Sequence, residues 1–215
     1  MRSLLLFPLV AGAVALSAVA LASPAHLVPA FTSAEPTHAK TETAVFAGGC
    51  FWGVEGVFER VKGVKRAVSG YAGGTARSPD YEMVSSGTTG AAEAVRVDFD
   101  PSVVSYADLL RIYFSVVADP TLKNRQGPDV GTQYRTALFP VGPAQSRQAK
   151  AYIAQLNAAK VFPRPIVTTI ESGRFVTAEA YHQDYMRHNP RNPYIVVNDA
   201  PKVAALQKLF PRLVR

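Results

Sequence analysis

The stretch TAVFAGGCFWGVEGVFERVKG, residues 43–63, constrains the fold more than any other part of this 215-residue chain. Its first five residues have the composition of a short buried strand, and two glycines then interrupt it. From Cys50 the apolar residues follow helical spacing, at positions 54, 57, 58 and 61, until Gly63 closes the segment. The pattern predicts a strand, a glycine turn and a helix in direct succession.

Short strands and helices are mixed along the rest of the chain. Residues 92–99 alternate between two faces, and Glu93 lies on the face that the large apolar residues share. Ser105 and Asp108 have the spacing of a capping box, which opens a helix over 106–117. We further expect strands at 64–71, 132–139 and 165–171, helices at 143–159, near 178 and from about 201, and a long polar loop over 72–90. The class is therefore α+β, a largely antiparallel sheet with helices packed on its faces in a ferredoxin-like two-layer core.

The N-terminal segment has the pattern of an export signal. Residues 4–22 carry no charge, Arg2 precedes them, and Ala20-Leu21-Ala22 fits a signal peptidase site. The alternative is an uncleaved membrane anchor, because nineteen apolar or small residues are almost long enough to span a bilayer. Residues 23–43 are rich in Ser, Pro, Ala and Thr and predict a disordered linker, which leaves one domain over 44–215. We expect an exported, periplasmic protein.

Charge and cysteine content exclude several classes of function. The net charge is +7, but the basic residues are scattered and no nucleic-acid motif accompanies them, so a solvated basic surface is favoured over nucleic-acid binding. Cys50 is the only cysteine, which excludes an intramolecular disulfide and a cysteine-rich zinc site. Such a cysteine is either a reactive thiol or a small buried apolar residue.

Cys50 and Glu93 are the residues whose positions suggest chemistry. A thiol at a helix N-terminus is expected to have a lowered pKa, because the free N–H groups and the helix dipole favour an anion. Glu93 begins its strand, where a lone glutamate usually faces water. If it is buried instead, its pKa rises and it becomes a proton donor near neutrality. If strands 44–47 and 93–99 run antiparallel, Glu93 comes to lie next to Cys50.

Several motifs together resemble those of the peptide methionine sulfoxide reductases of the A type, which act on the S epimer. The resemblance runs from about residue 43 to the C-terminus. The motifs, in family order, are GGCFWG (48–53), GYAGG (70–74), SPDYEMV (78–84), TGAAEAV (89–95), NRQGPDVGTQYR (124–135), AEAYHQDY (178–185) and NPYIVV (192–197).

The resemblance implies a role for each matching residue. Cys50 would attack the sulfoxide sulfur, and Glu93 would protonate the sulfoxide oxygen. The remaining roles concern binding of the substrate: Phe51 and Trp52 would form the methyl pocket, Tyr81 and Tyr134 would hydrogen-bond the oxygen, Asp129 would hold the hydrogen-bond network, and Tyr185 would complete the wall. No metal or organic cofactor is implied. The substrates would be oxidised proteins or peptides, and the enzyme is expected to be a monomer.

Two departures from the family pattern matter. Position 91 is Ala where the family usually has His, which removes a supporting hydrogen bond. No resolving cysteine follows Cys50, so the chain resembles the one-cysteine subtype. A sulfenic acid on Cys50 would then need an external thiol, from glutathione with glutaredoxin, a thioredoxin-like protein or a small thiol.

Three other functions use the same residues differently. A cysteine hydrolase or acyltransferase would pair Cys50 with His182. A peroxide-reducing thiol enzyme would need Cys50 without the methyl pocket, and a secreted binding domain would use the aromatic residues only as core.

Overall fold

The computed structural model describes residues 25–33, 40–77 and 79–215. The signal peptide or anchor predicted at 1–22 lies outside these residues. Within the described ranges, the helices are all too short or too polar to cross a membrane.

The chain contains both strands and helices, mixed along the sequence, as expected for the α+β class. The strands are β1 (Glu42–Gly48), β2 (Val64–Gly73), β3 (Ala91–Phe99), β4 (Arg125–Gln126), β5 (Asp129–Val130), β6 (Thr136–Phe139), β7 (Thr169–Ile170) and β8 (Phe175–Thr177). The α-helices are α1 (Phe51–Phe58), α2 (Tyr81–Ser85), α3 (Tyr106–Ile112), α4 (Pro143–Ala158), α5 (Tyr185–His188) and α6 (Ala200–Leu209). Turns of 3₁₀-helix lie at Thr132–Tyr134 and Ala180–His182, and π-helical turns at Tyr113–Val117 and Ile195–Asp199.

The main sheet has the order β7-β6-β1-β3-β2-β8. Its central strands, β6-β1-β3-β2, pair antiparallel throughout, and only β6 and β7 run parallel. Helix α1 connects β1 to β2, and α3 lies on the connection from β3 to β6, which is the ferredoxin-like arrangement. The predicted fold class is confirmed.

The two faces of the sheet are packed differently. On one face, Phe46 and Phe99 join α1, α3 and α4 in the main apolar core, where Phe46 stacks on Phe58 at 4.8 Å between ring centroids. The other face carries small residues, among them Ala47 and Ala94, under Phe139 and Phe175. The large side chains therefore hold α1, and with it Cys50, firmly against the sheet.

Three predicted elements differ from the structure in length. The strand expected over 132–139 begins only at β6, because Thr132–Tyr134 form a 3₁₀ turn. The strand expected over 165–171 is reduced to β7, because Pro165 has no N–H and the N–H groups of Ile166 and Val167 donate to Asn157 Oδ1 and the Pro120 carbonyl instead of to a neighbouring strand. The loop over 72–90 contains α2, whose first turn is capped by Asp80, which accepts a hydrogen bond from the Met83 N–H at 2.8 Å. The capping box at Ser105 is confirmed.

Residues 25–33 differ from the linker predicted over 23–43. Val28 is fully buried; its N–H donates to Ser115 Oγ at 3.1 Å and its carbonyl accepts from Arg111 Nε at 2.9 Å. Phe31 packs on Tyr152 at 5.4 Å between ring centroids. We name this segment the N-terminal strap. Two apolar side chains and backbone hydrogen bonds hold this irregular segment on α3 and α4. Because the segment has neither a helical nor a strand period, the sequence pattern does not predict that it is ordered.

Candidate active site

Cys50 lies where β1 ends and α1 begins. Gly49, just before it, has a φ of +89°, a conformation that L side chains rarely adopt, and a side chain there would also collide with Gln126. Cys50 is the N-cap residue of α1 and is 8% exposed. The predicted strand, glycine turn and helix are all present, and they place the thiol at the end of the sheet.

Glu93 is buried next to Cys50, as the antiparallel pairing of β1 and β3 predicts. Its side chain is 3% exposed, and Oε2 accepts a hydrogen bond from the Phe51 N–H at 3.0 Å. Burial raises the pKa of Glu93 to about 8, with smaller contributions from the carboxylates of Asp129 and Asp199, while the Phe51 N–H opposes the change. Of the two interpretations of Glu93, the buried carboxyl is correct, and it is mostly protonated at neutral pH.

The ionisation of Cys50 contradicts the prediction from its helix position. Burial, followed by the carboxylates of Glu93 and Asp199, raises the pKa of the Cys50 thiol well above its ordinary value. The Trp52 N–H and Lys202 lower it, but by less. The helix N-terminus acts in the expected direction and is outweighed by desolvation and by neighbouring anions.

Trp52 forms the centre of an aromatic cluster at the opening of the site. Its ring stacks on Tyr185 at 3.8 Å and 8°, and Tyr194 meets it edge-on at 5.9 Å. The indole Nε1–H donates to His182 Nδ1 at 3.1 Å. Phe51 is more deeply placed, 1% exposed, against Tyr71 and His182. Trp52 thus presents an indole face held from two sides.

Polar groups from three other segments approach the same site. Tyr81 begins α2 and Tyr134 ends a 3₁₀ turn; burial raises the pKa of both, and the charges of Glu93 and Cys50 add to the effect. Asp129 Oδ2 accepts a short hydrogen bond from the Tyr194 hydroxyl. Burial raises the pKa of Asp129, while Tyr194 lowers it. The two tyrosines remain protonated donors, and Asp129 is held by Tyr194.

A match to a family of known proteins accompanies this geometry. The family model described as "Peptide methionine sulfoxide reductase" matches residues 42–212. "Peptide methionine sulfoxide reductase MsrA 2" of Mesorhizobium japonicum is 58% identical over 174 residues, which cover 80% of this chain and 89% of that protein. The chain belongs to the peptide methionine sulfoxide reductases of the A type.

Solved structures of other reductases have the same fold. The reduced form of Mxr1 from Saccharomyces cerevisiae is 33% identical and superimposes with a TM-score of 0.63, over 75% of this chain and 92% of that one. Methionine sulfoxide reductase A of Corynebacterium diphtheriae is 30% identical with a TM-score of 0.61, over 80% and 89%. The reductase described here is therefore an oxidoreductase acting on methionine sulfoxide.

His182 is placed to support the reductase site rather than to activate Cys50. Its Nδ1 accepts from Trp52, and its Nε2 faces Glu179 Oε2 at 3.9 Å. Burial lowers the pKa of His182, so the ring is neutral and Nδ1 is an acceptor. This arrangement argues against the Cys50–His182 dyad of a cysteine hydrolase.

Several buried polar residues in and around the site were not predicted from the sequence. Tyr194 lies in the NPYIVV motif, and the resemblance gave it no role. Glu55, one turn into α1, is 2% exposed and accepts from the N–H groups of Ser69 at 3.2 Å and Asp184 at 3.0 Å. Burial raises its pKa to about 7. Glu55 lies between the apolar helix positions 54 and 57, and this placement is the signal in the sequence that could have predicted its burial.

Asp199 was also missed. It is fully buried and acts on the ionisation of both Cys50 and Glu93. Nothing in its local sequence distinguishes it from an ordinary helix-capping residue. Among the residues that the structure describes, no group of three or more His, Cys, Asp or Glu side chains is arranged to hold a metal ion.

Proposed function

We propose that this reductase reduces the S epimer of methionine sulfoxide by direct attack of Cys50 on the sulfoxide sulfur, with Glu93 as the acid. The observation that supports it best is the buried Glu93 carboxyl beside the chain's only thiol, with a pKa of about 8. A carboxyl group that keeps its proton at pH 7 can give it to a developing oxygen base, whereas an ordinary surface glutamate cannot.

The proposed step balances in atoms and electrons. The Glu93 proton moves to the sulfoxide oxygen, and Cys50 Sγ forms a bond to the substrate sulfur. The thiol proton passes to Glu93. The hydroxyl group then moves to Sγ as the substrate S–O bond and the new bond between the two sulfur atoms both break. The methionine sulfur gains two electrons, Cys50 loses two, and the products are methionine and a Cys50 sulfenic acid.

The residues around Cys50 would bind the sulfoxide group in two parts. The apolar wall, Phe51, Trp52 and Tyr185, would take the S-methyl group, with Trp52 nearest the opening because Phe51 is buried. Tyr81 and Tyr134 would donate hydrogen bonds to the oxygen, since their raised pKa values keep both hydroxyls protonated. Asp129, held by Tyr194 through Oδ2, would orient the peptide part of the substrate through Oδ1.

Recycling would require two external thiols. The first condenses with the sulfenic acid and releases water, and the second reduces the mixed disulfide to restore Cys50. Glutathione with glutaredoxin, or a thioredoxin-like protein, has the required chemistry. The N-terminal signal pattern supports a role in repairing oxidised exported proteins, with a periplasmic thiol donor.

Steady-state turnover on separated epimers tests the proposal. With dithiothreitol as reductant, the enzyme should reduce N-acetyl-methionine-S-sulfoxide and leave the R epimer unchanged, as followed by chiral chromatography. The control Cys50→Ser conserves size and polarity and should give no turnover. Equal reduction of both epimers, or activity in the serine variant, would contradict the proposal.

A further inference from the structure

Asp199 occupies a helix-capping position but does not cap its helix. It is the N-cap residue of α6, and aspartate there normally accepts hydrogen bonds from the first turn. Across the described part of the chain, its side chain makes no such capping bond. Instead, Oδ1 meets Lys202 Nζ at 3.2 Å, and Oδ2 is buried without a hydrogen-bond partner among the described residues. A fully buried carboxylate with one unpaired oxygen is costly, which points to a role other than folding.

The carboxylate of Asp199 instead stands against the first turn of α1. Gly53 touches it so closely that any side chain at position 53 would overlap with Oδ1 and Cγ. Cys50 begins the same turn. The positive end of the α1 dipole would favour a Cys50 thiolate, but the Asp199 carboxylate already lies against that end of the helix.

Lys202 completes the arrangement from the next turn of α6. Its ammonium group pairs with Asp199 and is 22% exposed at the side chain. The groups with charge or titratable protons that act on Cys50 or on its acid partner come from several elements: Glu93, Asp129, Asp199, Lys202, Tyr81, Tyr134 and Tyr194. Lys202 is the only cation among them, and its ammonium group lies beside Gly53 in the first turn of α1 as well as against Asp199.

We propose that the buried Asp199–Lys202 ion pair under α1 sets the ionisation of Cys50, with Asp199 holding it as a neutral thiol and Lys202 opposing that effect. The two residues act through space and are positioning residues. Burial is the main cause of the raised pKa of Cys50, and Asp199 adds to it while Lys202 subtracts. Burial also raises the pKa of Asp199 itself, and Lys202 lowers it, so the ammonium group favours the ionised carboxylate.

The functional consequence is a resting enzyme in which the Cys50 thiol and the Glu93 carboxyl both keep their protons. A neutral Cys50 reacts slowly with chance oxidants and alkylating agents, because the thiolate is the nucleophile. The thiol would become reactive when a bound sulfoxide takes the Glu93 proton. An enzyme whose only thiol must survive in an oxidising environment benefits from this protection.

The test measures the thiol itself and needs no reductase activity, so it is independent of the proposed function. The rate of Cys50 alkylation by iodoacetamide is followed by mass spectrometry from pH 6 to pH 10. Asp199→Asn keeps the shape and the Lys202 contact but removes the charge, and Lys202→Gln removes the opposing charge. The controls, Asp100→Asn and Lys208→Gln, make the same charge changes on a turn after β3 and on an exposed face of α6.

The two variants should shift the profile in opposite directions. Asp199→Asn should raise the alkylation rate at pH 7 by about tenfold and move the midpoint to lower pH, as expected for removal of one like charge near a thiol. Lys202→Gln should lower the rate and move the midpoint to higher pH. Both controls should match the wild type. If Asp199→Asn leaves the midpoint unchanged, or if the two variants shift it in the same direction, the proposal is wrong. If Asp199→Asn does not fold, the shift in Lys202→Gln decides.

Discussion

Replacing Glu93 with glutamine should slow sulfoxide reduction and stabilise the protein at alkaline pH. Glutamine keeps the acceptor oxygen for the Phe51 N–H, which lies 3.0 Å from Oε2, but it has no proton to give. With a pKa of about 8, Glu93 is protonated in roughly nine molecules of ten at pH 7. A positioned general acid contributes about 10² to 10⁴ in rate, so kcat should fall by that factor.

The stability effect has a definite sign. The folded-state pKa of Glu93 is raised from 4.5 to about 8, so its contribution to stability is fully present below pH 4.5 and is lost as the pH rises through 8. The gap corresponds to about 5 kcal/mol, at 1.4 kcal/mol for each tenfold change in proton affinity, and relaxation of the site makes this an upper limit. Glu93→Gln does not titrate and should lose none of it.

Urea unfolding at several pH values measures this difference. The unfolding free energy of Glu93→Gln minus that of the wild type should grow between pH 4.5 and pH 8 and then level off. Carboxyl groups that do not interact with Glu93 titrate in both proteins and cancel. Glu82→Gln, on the exposed surface of α2, is the matched control and should show no such trend. A difference that does not depend on pH, or undiminished reduction by Glu93→Gln, would refute the reasoning for this residue.

Three further changes test other parts of the structure. Val28→Ala should lower the unfolding free energy by about 2 kcal/mol, because it removes two fully buried methyl groups by which the N-terminal strap packs on the core, while kcat stays unchanged; urea titration and turnover measure the two effects. Glu55→Ala should lower the unfolding free energy by about 2 kcal/mol in the same titration, because the Asp184 N–H loses its acceptor and the Ser69 N–H keeps only Gln183 Oε1; a loss below about 0.5 kcal/mol, as at an exposed site, would contradict this role. His182→Phe should raise KM more than it lowers kcat, since Trp52 loses the acceptor that orients its indole; an unchanged KM would remove that role.

The sequence predicts the part of the site that is formed by residues close to one another along the chain. The strand, the glycine turn and the helix at Cys50 are encoded within twenty residues, and the alternation in 92–99 assigns Glu93 to the apolar face. Whether those two segments pair was a condition of the prediction; in the structure they pair antiparallel, and this brings Glu93 to the Phe51 N–H.

The ionisation of Cys50 could not be predicted in the same way. It depends on how deeply the thiol is buried and on Asp199 and Lys202, which are about 150 residues further along the chain. The local sequence shows only the helix N-terminus and therefore predicts a lowered pKa for Cys50. Burial and charges from distant parts of the chain raise this pKa instead. The N-terminal strap was missed for a related reason, because its order comes from contacts with α3 and α4.

A single-turnover experiment tests the central claim most directly. The reductase is mixed with a molar excess of a peptide containing methionine-S-sulfoxide, without any thiol. The masses of the protein and the peptide are measured with and without dimedone, which traps sulfenic acids. We expect the peptide to lose one oxygen, the protein to gain one at Cys50, and dimedone to label that residue, with one turnover per enzyme. Repeated turnover without a reductant, or loss of the peptide oxygen with no change at Cys50, would contradict the account.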